Sequence, residues 1–178
     1  MKTRLKYLLA VVLLSLAGHA PAEERTLTIE VDAEATVAGT LTMPDDARGA
    51  PLVLLIAGSG PQNRDASNMI DDHAPHSQWA ETLLAHGIGS FRYDERGMGT
   101  SSGEWSTTTF TQHAKDLVRI VDRLRAQPDV AENRLVLLGH SEGTLLAAAI
   151  ADRVQPAAVV LMAGPARTMS AVIDAQAR

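Results

Sequence analysis

Hydrophobic and polar positions change their period several times along this chain, and the changes mark out its elements. Across residues 25–43 apolar and polar positions alternate around two β-rich runs, Leu27-Thr28-Ile29-Glu30-Val31 and Thr36-Val37-Ala38-Gly39-Thr40-Leu41. That pattern predicts an antiparallel hairpin at a sheet edge. A turn-rich connection over 44–51 leads into Leu52-Val53-Leu54-Leu55-Ile56-Ala57, which is apolar without alternation, as expected of a strand buried on both faces. Residues 77–86 put Trp79, Leu83 and Leu84 on one helical face, with Gly87 as the cap, and 88–93 reads as the next strand. Phe110, Ala114, Leu117, Val118, Val121 and Leu124 recur at helical spacing over 108–127, where Pro128 ends the pattern. A strand over 134–138, a helix over 144–154 and an apolar strand over 157–162 complete the series. A hairpin followed by alternating strands and helices predicts an α/β fold with a mostly parallel sheet, covered on both faces, whose functional groups lie at the carboxyl ends of the strands. No repeat or linker divides it, so residues 23–178 read as part of one domain.

The first 22 residues stand apart from that pattern. Lys2, Arg4 and Lys6 form a basic segment, 8–17 an apolar one, and Ala20-Pro21-Ala22 a small-residue cleavage site, the organisation of a signal peptide. Export to the periplasm or the medium is expected, with Glu23 as the mature N-terminus. The apolar run is about half of the roughly 20 residues that a membrane-spanning helix needs, so no stable membrane anchor is expected. Without the leader the chain carries 13 of its 16 Lys and Arg against 21 Asp and Glu, a formal charge of −8. Such a surface repels phosphate backbones, and nucleic-acid binding has no support. The absence of cysteine removes disulfides, thiolate metal sites and cysteine nucleophiles. No His/Cys ligand cluster is visible, so neither a metal nor an organic cofactor is expected.

Chemistry concentrates in three glycine-marked loops that the pattern places at one edge of the sheet. Gly139-His140-Ser141-Glu142-Gly143 lies between a strand and a helix, and a Gly-x-Ser-x-Gly pentapeptide there reads as a nucleophile elbow in which the turn lifts the Ser141 hydroxyl above the sheet. Gly58-Ser59-Gly60-Pro61-Gln62-Asn63-Arg64-Asp65 lacks the third glycine of a dinucleotide fingerprint and the Gly-Lys-Ser/Thr of a P-loop, which leaves an oxyanion-hole loop or a plain turn. In Asp94-Glu95-Arg96-Gly97-Met98-Gly99, Asp94 and Arg96 read as an ion pair at the site or as residues that shape their loop, the latter being preferred. The Glu142 side chain is expected to start the following helix, where the dipole favours a carboxylate.

Together with Leu161-Met162-Ala163-Gly164-Pro165 and Arg92-Tyr93-Asp94-Glu95-Arg96-Gly97-Met98-Gly99-Thr100-Ser101-Ser102-Gly103, these loops resemble successive landmarks of secreted bacterial α/β-hydrolases related to serine aminopeptidases and carboxylesterases. The resemblance implies that fold and a Ser-His-Asp ester or amide chemistry. It also implies Ser141 as nucleophile, with the backbone N–H groups of Glu142 and of Ser59 or Gly60 as oxyanion donors. In that family the triad acid and histidine follow the strand that here ends near Met162, yet only 16 residues remain, with Asp174 among them and no histidine. All six histidines precede Ser141. His73 and His76 are read in a polar loop, His86 and His113 on helices and His140 in the elbow, each solvated or structurally hydrogen-bonded. The expectation is therefore the N-terminal portion of the fold, cut after the strand that follows the elbow, with the remaining triad residues beyond 178. Two function classes fit: a serine hydrolase acting on carboxylic esters or short peptides, and a non-catalytic or degenerate hydrolase-fold protein that binds a ligand or partner at the same cleft. Oligomeric state leaves no trace in the sequence.

Overall fold

The computed structural model describes residues 22–45, 47–67 and 73–167. Most of the expected leader and Asp174 lie outside the described residues. Among the described residues six strands form one sheet in the order β1-β2-β4-β3-β5-β6. The hairpin β1 (Ala22–Glu30) and β2 (Thr36–Pro44) is antiparallel, and β2 joins the rest by antiparallel pairing to β4 (Gly89–Tyr93). From there β4, β3 (Leu52–Ile56), β5 (Leu135–His140) and β6 (Ala158–Met162) run parallel. The mostly parallel α/β architecture expected from the alternation is the one observed.

β3 occupies the middle because its sequence fits nowhere else: all five of its residues are buried. Each large apolar side chain so placed contributes roughly 1.5–3 kcal/mol over exposure. α2 (Phe110–Arg125) and α3 (Gly143–Val154) pack on one another, with α2 touching β1 and α3 touching β3, β5 and β6, while α1 (Pro75–Ala85) lies against β4 and β2. α2 buries Leu117, Val118, Ile120, Val121 and Leu124 along one stripe. It begins at Thr109, whose side chain accepts from the Gln112 N–H, and Arg123 and Arg125 in its last turn complement the dipole.

Three details depart from the sequence reading. Phe110, counted with the buried face of its helix, is the first helical residue and is 42% exposed, because the stripe takes hold only a turn later. His76, read in a polar loop, is buried in the first turn of α1: Pro75 starts that helix two residues before position 77, since a missing N–H costs nothing at the first helical position. The buried positions of α1 are consequently His76 and Ala80, with Trp79, Leu83 and Leu84 half-buried.

Asp94 and Arg96 do shape loops, but not as a pair with each other. Asp94 binds Arg64 through the backbone N–H at 2.8 Å and the guanidinium at 2.6 Å, and also accepts from the Thr100 N–H at 2.9 Å. Burial alone would raise the Asp94 carboxyl, yet these donors outweigh it and hold it below the usual carboxylate range. Arg96 forks onto Asp116 at 2.9 and 2.7 Å and onto Asp32 at 2.6 Å, which joins α2 to the β1–β2 turn.

Candidate active site

The carboxyl ends of β3, β4 and β5 bring the three glycine-marked loops together. Ser141 is the turn residue between β5 and α3 and has φ +52°, a left-handed conformation that costs a non-glycine residue roughly 1–2 kcal/mol. Its neighbours hold it there. The Ser141 N–H donates to the Met162 carbonyl at 3.0 Å, and the Ser141 carbonyl accepts from the Thr144 N–H at 3.1 Å and the Thr144 hydroxyl at 2.6 Å. The flanking glycines are demanded by space: a Cβ on Gly139 would overlap the Gly143 carbonyl, and one on Gly143 would overlap the carbonyl oxygens of Ile56 and Ala57. Strand and helix backbones thus touch directly at the turn, as the pentapeptide requires.

The loop after β3 passes close to this turn, since a Cβ built on Gly58 would come within 3.1 Å of the Ser141 Cβ. Gly58, Gly60, Glu95, Trp105, His113 and Glu142 are among the residues that line a cavity of about 130 Å³. Gly60 and Glu142, two of the expected oxyanion-donor positions, therefore line the same cavity. Ser59 is exposed, and its carbonyl accepts from the Gln62 side chain at 3.2 Å. Glu142 is the N-cap residue of α3, but its side chain makes no capping hydrogen bond, so the expected helix-starting role of that carboxylate is not observed; the residue lines the cavity instead.

Glu95 and His113 were not singled out as site residues by sequence pattern. Glu95 is only 5% exposed, and burial pushes its carboxyl up to about 7 although the Gln62 N–H and the Trp105 ring N–H, at 3.3 and 3.2 Å, oppose the shift. The nearby Glu142 adds to the rise. Burial lowers the His113 imidazole at the cavity below its ordinary value, against the opposing pull of Asp116 and Glu142. No sequence signal marks Glu95, which reads as one more charge in a polar loop until its burial is seen. His76, Trp79 and His140 form a second, aromatic cluster, with ring centroids 5.2 and 5.9 Å apart in succession. Among the described residues no group of three or more histidines and acids could hold a metal ion.

A comparison of families matches residues 69–176 to the group described as serine aminopeptidase, S33. The chain belongs to that family. Esterase EstD of Thermotoga maritima is 30% identical to this S33-family chain over 154 residues, which cover 86% of the chain and 35% of EstD. Among solved structures, the α/β-hydrolase GrgF from Penicillium sp. sh18 superposes with a TM-score of 0.65 at 25% identity, over 81% of this chain and 46% of GrgF. The Pyrococcus furiosus esterase Pf2001, at 22% identity, shares the fold with a TM-score of 0.59 over 75% of this chain and 48% of its own. The S33-family chain thus spans about a third of EstD and just under half of these two structures. Relatives of this kind are esterases and hydrolases of α/β type, which agrees with the family resemblance of its loops.

Proposed function

We propose that this chain is the nucleophile-bearing part of an exported serine hydrolase that acts on carboxylic esters or short peptide bonds through an acyl-enzyme on Ser141. The observation that carries the reading is the left-handed Ser141 turn, wedged between backbone-contacting glycines and facing the Gly58 loop. Strain of this sort persists only where the surroundings over-determine it, and a nucleophile elbow is a known use of it. In the proposed reaction the Ser141 oxygen attacks the acyl carbon, its proton passes to a histidine, and the backbone N–H groups of Glu142 and of Ser59 or Gly60 receive the oxyanion. We assign the triad histidine and acid to the part of the fold that the longer relatives have and this chain does not span. The reaction needs no metal. Substrates are small molecules, and removal of residues 1–22 on export would leave Glu23 first, which an intact-mass measurement reads directly.

The test is p-nitrophenyl ester hydrolysis by the full-length protein, together with fluorophosphonate labelling. Rapid labelling at Ser141 and loss of at least 10³-fold in kcat on Ser141→Ala are expected. Labelling elsewhere, or full activity in Ser141→Ala, would overturn the proposal. Absence of both labelling and turnover in the full-length protein would select the second reading, a non-catalytic hydrolase-fold binder.

A further inference from the structure

An oxyanion hole works only if its N–H groups are aimed before the charge develops, so what holds the loop after β3 matters as much as its donors. Gly60 has φ +93° and nothing within 4 Å of the place a Cβ would occupy, so packing does not fix the loop at that point. Hydrogen bonds do. The Gln62 side-chain amide donates to the Ser59 carbonyl at 3.2 Å and closes the Ser59-to-Gln62 turn. Peptide groups are planar, so fixing that carbonyl also fixes the plane that carries the Gly60 N–H. Gln62 is in turn gripped by Glu95 from two directions: its N–H donates to the Glu95 carboxylate at 3.3 Å, and its carbonyl accepts the Glu95 N–H at 3.3 Å. The same carboxylate oxygen takes the Trp105 ring N–H at 3.2 Å. The connection therefore runs from Trp105 through a buried acid to Gln62 and on to the peptide at the cavity wall.

We infer that Gln62, anchored by Glu95, is a positioning residue that sets the oxyanion loop for the reaction at Ser141. The inference rests on the serine-hydrolase reading above. Neither side chain touches the reacting atoms in this account; both act through the Ser59 and Gly60 backbone. Their effect should fall on the tetrahedral state, where the oxygen is charged, and spare ground-state binding.

The experiment uses the full-length protein with p-nitrophenyl acetate and a boronic acid that forms a tetrahedral adduct with serine. Gln62→Met keeps the length and removes the donor; Glu95→Ala removes the acceptor and Glu95→Gln retains one. Losing an oxyanion donor outright costs about 10²–10³ in kcat, so misaiming one should cost about tenfold or more. Expected are such a fall in kcat for Gln62→Met and Glu95→Ala, KM changed by less than about twofold, a matching loss of boronate affinity, and recovery of most of the rate in Glu95→Gln. Gln62→Met within about twofold of wild type in kcat, or a fall in kcat with undiminished boronate affinity, would overturn the inference. Ser141→Ala separates the failures: if it abolishes activity while Gln62→Met is unimpaired, only this inference falls, and if it leaves activity intact, the serine reading falls as well.

Discussion

If the left-handed turn at Ser141 is truly strained, replacing the serine by glycine should stabilise the protein while destroying its proposed activity. The clean comparison is Ser141→Gly against Ser141→Ala, because both lack the hydroxyl and differ only in the Cβ. At φ +52° an alanine bears a conformational cost of roughly 1–2 kcal/mol that glycine escapes. Glycine brings back roughly 0.4–1 kcal/mol through the greater freedom of its unfolded chain. The methyl group has little packing to lose, since Ser141 is half-buried and its nearest loop neighbour is a glycine without a side chain. The balance favours Ser141→Gly by about 1 kcal/mol, which is about 2–4 °C in Tm for a domain of roughly 150–250 residues. Thermal unfolding of the two full-length variants measures it. Gly49 supplies the calibration: it has φ +74° with open space around it, so Gly49→Ala should lose a similar amount without any overlap. If Ser141→Gly melts at or below Ser141→Ala while Gly49→Ala behaves as stated, the turn stores no strain and the argument from geometry to nucleophile weakens with it.

Two further outcomes follow from the buried charges. Asp116→Ala leaves Arg96, 8% exposed at its side chain, with Asp32 as its remaining carboxylate, so the loss should be about 2–3 kcal/mol, below the 3–5 typical of a fully orphaned buried charge. A fall in Tm of roughly 5–10 °C is expected, and a change under 2 °C would contradict the pairing. Burial pulls the His76 imidazole down to about 4, so between that value and its ordinary 6.5 the unfolded chain binds the extra proton and stability falls as pH is lowered. His76→Phe should flatten that loss between pH 6.5 and 4 in denaturant titrations; an unchanged slope would refute it.

Much of this could be seen in the sequence because strands and helices announce themselves locally. The unbroken apolar run at Leu52 placed β3 in the sheet interior, and the glycines around Ser141 foretold a backbone contact that the structure contains. What stayed hidden depends on distant partners. Arg96 meets Asp32 and Asp116 across 64 and 20 residues, and Asp94 meets Arg64 across 30, separations that no periodicity encodes. His76 was hidden for a different reason: polar neighbours suggested a loop, but Pro75 begins a helix there and carries the ring inward. Glu95 looked like one more charge in a polar loop, and only its burial against Gln62 and Trp105 distinguishes it.

The bond from the Ser141 N–H to the Met162 carbonyl ties the nucleophile turn to β6, whose five residues are all exposed and whose Leu161 is 57% so. Among the described strands β3 and β5 are paired on both sides, while β6 pairs with β5 alone, and a strand held on one side opens locally at less cost. Amide hydrogen exchange at Ser141 should therefore report the opening of the neighbouring β6, which accepts that N–H, and not the firmness of β5, which leads into the serine turn. Whatever covers β6 would quiet that opening, and so an event on β6 would be felt at Ser141 as a better-held turn.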